Sequence, residues 1–538
     1  MKQRITYLLR EPDELRTEHL EVTGKSLIIN NLKAAKEHRL TLSLSELPNE
    51  VSEVLRQCHE LHIRWASQDP YTSIPPFVSR VSPGLHAFFT PRNNSKADSL
   101  CPWLKKIFHP EFKCESPRET FISLPILSER FSMSSALQYH QLLPTLSRLV
   151  SYIKSEFCSR HDSTCQEHAS RLLSASYIDM DYNAISHALV INALWNEAPD
   201  GSSWHDRIER TRDDETIEVG ILSNETPEEP EELKLGGFLV VVGDDDTPKA
   251  TRFSFPSRHY PLPLSISTTY RTTFKRPTGL HPVMQLTLPR ASLQPPSKAR
   301  CSLHTYLTLP SALFIDKYAF SDALTLRSLN LAALRTVYGE TDLEAPDWVI
   351  PKFGSAALFE LATPSLASQS TSLSTTRGTA VKDTDIWTVE IPLHLRYLPP
   401  TSGGYTPLAV PWPVVFWACT ADEGTRMVVN PFDRVNLGYD GLFGDRTMFY
   451  HVPPSPGNGT WTGREAEGRL VETLQVPVLD LRQAWYVEWG TVVAVVVGTA
   501  WVCWKLWRGG RMGEGPRLRE GRGGRGSSAH KSLALHGF

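Results

Sequence analysis

Cysteine is scarce in this chain, with seven residues at 58, 101, 114, 158, 165, 301 and 419 and an eighth at 503. A set so odd and widely spaced excludes a dense disulfide framework and leaves the pairing open. Long uninterrupted helical bundles are disfavoured too, because 40 prolines are scattered along the chain and each removes an intrahelical hydrogen bond. Charged residues at 21% and hydrophobic residues at 41% exclude both a disordered acidic tail and a fibrous repeat. At roughly 100–200 residues per domain, 538 residues make two to four domains. No internal repeat is present.

Catalytic signatures are missing as well. No G-x-S-x-G, H-E-x-x-H or Rossmann glycine pattern occurs, so neither a nucleophile elbow nor a metalloprotease helix is supported. TGKS at 23–26 looks like the end of a phosphate-cradling loop, but the position of its first glycine is His19. Gly24 is instead read as a turn before the strand SLII.

Positive charge is lacking everywhere but at one end. Residues 505–538 hold eight Lys/Arg and two Asp/Glu, a balance of +6. The rest then holds 48 basic and 57 acidic residues, a balance of -9. A body this acidic is a poor nucleic-acid binder, since such affinity comes from neutralised phosphates, and no nucleic-acid partner is expected. The glycine-arginine tail, including GRGGRG at 521–526, is explained by an anionic membrane face without RNA.

Only one long hydrophobic run exists, WGTVVAVVVGTAWVCWKLW at 489–507, and its first sixteen residues carry no charge. Extended by the snorkelling amine of Lys505, it reaches the length of a transmembrane helix. Trp489, Trp501, Trp504 and Trp507 are placed as interfacial belts. The expected span is 485–507, followed by a basic cytosolic tail at 508–538, and the positive-inside rule puts 1–484 across the membrane. The start, MKQRITYLLREPDE, has too few apolar positions for a cleaved signal peptide. A translocated body without a cleaved signal and a tail anchor with a cytosolic body both remain open, and charge favours the first. Glycosylation acceptors stand at Asn93, Asn224 and Asn458, all before the span.

Period-two patterns predict a mainly β protein with two or more sandwich-like units and some helix. The expected divisions are a β-rich region at 1–205, an acidic linker and strand at 206–251, and a second β-rich domain at 252–484. Helical spacing predicts helix near 134–173, divided by Pro144, and SASYIDMDYNAISHALVINALW reads as a hairpin. The low-complexity stretch at 365–385 reads as a surface loop.

Three constellations invite chemistry. Cys158, His161, Cys165 and His168 suggest zinc, but on one helix they extend about 15 Å, whereas ligands sit within ~2.3 Å of the ion. Cys58, His59 and His62 are too few for a structural site. Asp244 and Asp246 form D-x-D after the apolar run FLVVV, with Asp179 and Asp181 as a second copy. Such pairs can hold a divalent cation, yet GDDDTP also reads as a charged turn. No catalytic, cofactor or metal residue is therefore assigned. In HLRYLPP, His394, Arg396 and Tyr397 meet Pro399 and Pro400, so the TSGGY turn either presents side chains to a partner or closes a hairpin.

GLHPVMQLTL (279–288), CSLHTYLTLPSALFIDKY (301–318), EIPLHLRYLPPTSGGYTPLAVPWPVVFWAC (390–419) and NPFDRVNLGYDGLFGDRTMFYHVPP (430–454) resemble the PIG-X family, in its fungal, protease B nonderepressible form. The resemblance implies a single-span endoplasmic-reticulum membrane protein whose body is lumenal without a cleaved signal. It also implies a noncatalytic subunit of glycosylphosphatidylinositol (GPI) mannosyltransferase I, which adds the first mannose to the anchor precursor from dolichyl-phosphate mannose. The implied partner is a multispanning catalytic subunit, and other reticulum proteins are implied folding clients. The alternatives are a general lumenal chaperone, a glycosyltransferase using Asp244 and Asp246, and, least favoured, a cytosolic tail-anchored adaptor.

Overall fold

Alternating apolar and polar residues put most of this chain into strands. RITYLL and SLIINNL fall in strands Lys2–Leu9 and Ser26–Leu32. The string SASYIDMDYNAISHALVINALW folds as the hairpin Tyr177–Asn183 and Ala188–Trp195. The computed structural model describes residues 1–512 apart from 11–19, 93–98, 124–136, 160, 211, 213, 230, 264–265, 267, 291–292, 298, 365–385, 422–429, 433–437 and 457–467. The expected loop at 365–385 and most of the basic tail thus lie outside the described residues.

The protein is mainly β. Eleven strands form one sheet, in the order Lys249–Pro256, Glu232–Val241, Thr216–Glu225, Lys2–Leu9, Ala35–Ser43, Ala188–Trp195, Tyr177–Asn183, Cys58–Ala66, Gly84–Pro91, Leu137–Gln141 and Ile122–Ser123. Lys2–Leu9 pairs with Thr216–Glu225 in parallel, and the other ladders are antiparallel. A six-stranded sheet runs His259–Pro261, Thr447–His451, Val414–Thr420, Cys301–Pro310, Gly354–Leu361 and Leu331–Gly339. Gly354, at φ +151°, lets its strand pass close to its neighbour, since a Cβ there would lie 2.0 Å from the Leu309 carbonyl oxygen.

Two sequence expectations are corrected. Residues 206–251 are no linker: Trp204–Glu209, Thr216–Glu225 and Glu232–Val241 are strands, and the second lies beside the first strand of the chain. In TIEVGILSNE the period of two buries Ile217, Val219 and Ile221 and leaves Glu218 in solvent, so the acid count hid a core strand. Asp206 is itself buried, accepting hydrogen bonds from Tyr7 at 2.5 Å, Lys36 at 2.6 Å and Arg171 at 2.9 Å. Burial opposes its ionisation, but these partners, Lys36 foremost, hold its pKa down to about 2.

Of the segment near 134–173, the part before Pro144 is likewise not helix among the described residues, whereas the part after it is. Leu137–Gln141 is a strand paired with Gly84–Pro91, and helices follow at Ser147–Glu156 and Ser163–Arg171, with Pro144 between strand and helix. Tertiary pairing overrode local spacing there. Asp162 caps the second helix by accepting from the Cys165 amide at 2.9 Å.

Several sheets build this β-rich region, and residues Met1–Pro399 with Tyr405–Val478 form one compact body. Its halves share a core, in which Ile63, Phe89 and Tyr139 pack in one cluster with Phe353, Phe416 and Phe449. Polar contacts also cross between them, including the Tyr439 hydroxyl to the Arg80 carbonyl at 2.9 Å.

The second unit comprises Pro400–Gly404 and the chain from Leu479 onward. Its helix, Ala484–Met512, has 29 residues, longer than the expected 485–507. The lead-in to this helix is clasped by the short loop: Thr401 donates its amide to the Leu479 carbonyl and accepts from the Leu481 amide, both at 3.1 Å. Asp480 accepts from the Gly403 amide at 3.1 Å and from the Arg482 amide at 3.0 Å.

Candidate functional site

The long helix is apolar enough to cross a membrane, with mean hydropathy 1.5 over its best window, and that window is unburied. Trp489, Trp501, Trp504 and Trp507 project from it, exposed. The Lys505 amine lies 5.7 Å from the Trp501 and Trp504 ring centres, and the Arg508 guanidinium 5.0 Å from that of Trp504. A cation held against an indole at a helix end suits an interfacial belt.

Several of the candidate metal and sugar-phosphate residues are otherwise engaged. Cys158 and Cys165 form a disulfide, which removes the thiolates that zinc needs. No cluster of three or more metal-ligating side chains occurs among the described residues. Asp244 and Asp246 sit in the turn between Glu232–Val241 and Lys249–Pro256, and Asp244 pairs with Arg210 at 3.1 Å. Between them, Asp245 accepts from the Val241 amide at 2.8 Å and closes the turn. Gly24 also lies in a turn, where the Thr23 amide donates to the Ser26 carbonyl at 2.8 Å.

Asp179 and Asp181 belong to a buried charge network. Arg64 grips Asp179 with two nitrogens, one at 2.5 Å, and His62 lies 3.2 Å from each carboxylate. Ionised carboxylates only accept, so both nitrogens of His62 donate and the ring is an imidazolium. Burial works against that charge, but Asp179 and Asp181 outweigh it and hold the His62 pKa above its ordinary value. The Cys58 thiol nearby in sequence is buried and pushed up to about 12, hence inert.

A second network went unseen in the sequence. His259 sets Nε2 2.8 Å from Asp440 and Nδ1 2.9 Å from Nε2 of His451. Nδ1 of His451 is buried without a hydrogen-bond partner among the described residues. One assignment satisfies the rest: His451 donates from Nε2 to His259, which donates from its own Nε2 to Asp440. Burial foremost, then the neighbouring His259, pushes the His451 pKa well down. Arg258 donates to the carbonyls of Asp440 at 2.9 Å, Phe443 at 3.0 Å and Gly444 at 2.8 Å, pinning the glycine-punctuated turn. The pairing joins residues 181 and 192 positions apart, so no spacing could announce it.

The HLRYLPP segment splits into inner and outer residues. Arg396 is buried: Nε donates to the Ser311 carbonyl at 3.1 Å, Nη1 to the Ala345 carbonyl at 2.8 Å, and its guanidinium lies 4.4 Å from the Phe314 ring centre. These are the surroundings of a structural post, the second of the two roles that the motif offers. His394 stacks on Phe314 and sets Nδ1 3.1 Å from Nδ1 of His281. Burial and then His281 lower its pKa. Tyr397 points outward, Pro399 closes this stretch of the body, and Pro400 opens the loop of the second unit.

Of the glycosylation acceptors, Asn224 is exposed near the end of Thr216–Glu225, and Asn93 and Asn458 lie outside the described residues. Besides Cys158–Cys165, disulfides join Cys101–Cys114 and Cys301–Cys419.

Comparison with known proteins agrees with the strings noted in the sequence. The family signature described as PIG-X / PBN1 matches residues 277–507. A protein named pbn1 in Emericella nidulans is 47% identical over 525 residues, covering 94% of this chain and 95% of its own length. The Neurospora crassa pbn1 is 41% identical over 512 residues, with 94% and 95% covered. That of Schizosaccharomyces pombe is 28% identical over 240 residues, with 44% and 60% covered. With identity this high along nearly the whole of both chains, this protein belongs to the PIG-X / PBN1 family.

Proposed function

We propose that this chain is a noncatalytic, stabilising subunit of GPI mannosyltransferase I, required for transfer of the first mannose to the anchor precursor. The observation that carries the reading is full-length kinship with the pbn1 proteins. The multispanning catalytic subunit is its partner, and the chain is anchored in the reticulum membrane by the helix Ala484–Met512, body in the lumen and basic tail in the cytosol. Three disulfides support an oxidising compartment for the body, because cytosolic thiols stay reduced. The exposed Asn224 is available to the glycosylation machinery.

The mechanism is mass action: a subunit that binds only the native partner stabilises it, by about 2.7 kcal/mol at a hundredfold excess over Kd. Depleting this chain should lower the abundance of the multispanning subunit and block first-mannose transfer together. Normal partner abundance alongside failed mannosylation would overturn the stabilising role. Topology is tested by glycosidase-sensitive gel mobility with Asn93, Asn224 and Asn458 replaced singly by Gln. A shift lost on replacement supports a lumenal body, and digestion of the body by protease outside sealed microsomes would refute it.

A further inference from the structure

Beside the buried Arg396, the usual ordering of side chains is inverted. Asp347 is buried at 7% exposure, while Trp348 and Val349 next to it are 60% and 56% exposed. Arg396 is 3% exposed, and Tyr397 next to it 68%. Burying charge while leaving large apolar groups in water reverses what the hydrophobic effect favours. The two segments are joined, since the Asp347 amide donates to the Tyr397 carbonyl at 3.0 Å. Asp347 is further fixed by the Ser311 hydroxyl at 2.6 Å and the Lys113 amine at 3.3 Å. Arg396 holds the same loop through the Ala345 carbonyl. The aromatic pair thus stands on a rigid base, and preorganised Trp and Tyr are the side chains that dominate protein interfaces.

We propose that Trp348, Val349 and Tyr397 form the docking surface for a protein segment carrying an apolar side chain flanked by lysine or arginine. The charge requirement comes from the same loop, where Asp342 and Glu344 are exposed, on a body of net charge -9. An anionic bilayer would be repelled by that rim, whereas a basic-flanked peptide is attracted. The surface rests on the subunit reading above, and its occupant is a lumenal segment of the multispanning partner.

The test is recovery of the multispanning subunit with the tagged full-length chain from solubilised membranes. Trp348→Ser with Tyr397→Ser should cut recovery roughly tenfold or more, while the melting temperature of the variant stays at the wild-type value. Glu344→Lys, which keeps the turn that Asp342 closes by accepting from the Glu344 and Ala345 amides, should cut recovery several-fold and flatten its salt dependence. Undiminished recovery with both variants, in cells where depletion still lowers the partner, would overturn the surface and leave the subunit reading standing. If the wild-type chain neither retains the partner nor sustains its level, the subunit reading fails and takes the surface with it. A photoreactive phenylalanine analogue at position 348 should yield an adduct with the multispanning subunit, and adducts with lipid alone would overturn the assignment to a protein.

Discussion

In the eleven-stranded sheet His62 stands between two carboxylates, whereas in the six-stranded sheet His451 stands behind another histidine and reaches Asp440 only through it. All of these side chains except Asp181 are nearly inaccessible, yet one ring is held charged and the other neutral. Burial alone therefore does not decide a histidine's state; the count of acceptors within hydrogen-bond reach does. The first network contains Arg64, which cannot shed its proton, and the second is built on rings that can.

That difference predicts unequal losses from one substitution. Asp179→Asn leaves Arg64 and His62 with too few acceptors, and a broken buried ion pair costs about 3–5 kcal/mol. Asp440→Asn keeps an oxygen for His259 and should cost about 1 kcal/mol. Urea denaturation of the two variants checks this, and equal losses would refute the contrast between a network held by Arg64 and one built on histidine rings.

The two regions should also respond oppositely to pH. For His451 the folded pKa lies below the unfolded value near 6.5, so the unfolded chain takes up the proton first and stability falls as pH drops below about 6.5. His140 and His304, each lowered to about 4 by burial, act in the same direction over the range from about 6.5 to 4. For His62 the folded pKa is raised, so its contribution is complete below about 6.5 and is lost as pH rises through the folded value. Denaturation midpoints against pH should show His451→Gln reducing the acid slope and His62→Gln removing a loss on the alkaline side. The same slope change from both variants would refute the contrast.

The sequence was readable where one side chain's neighbour is fixed by the strand period. The β-branched and aromatic run in VPWPVVFWACT became the strand Val414–Thr420, and the single apolar run became the helix Ala484–Met512. It was unreadable where composition masked periodicity, as in Thr216–Glu225, where Glu218 faces solvent between the buried Ile217 and Val219 of a core strand. The site suffered from distance. Arg396 was conspicuous in HLRYLPP, but only the fold shows that Ser311, Phe314 and Ala345 enclose it and that Tyr397 meets the loop bearing Trp348. Such neighbours are brought together by tertiary pairing, which leaves no spacing signal.

The smallest effect belongs to the pair that drew attention for its chemistry. Asp244→Ala with Asp246→Ala alters an exposed turn whose closing contact comes from Asp245, and the one ion pair lost, to Arg210, is itself exposed. Surface pairs contribute about 0–1 kcal/mol, so stability should change by no more than about that. Mannosyl transfer in membranes bearing the double variant should be unchanged, because Asp244 and Asp246 are both exposed and neither is a buried charge, as Asp179 is, nor an acceptor to a histidine relay, as Asp440 is. Abolished transfer with unchanged partner abundance would make this turn a metal-holding site and reverse the ranking of the three carboxylate groups.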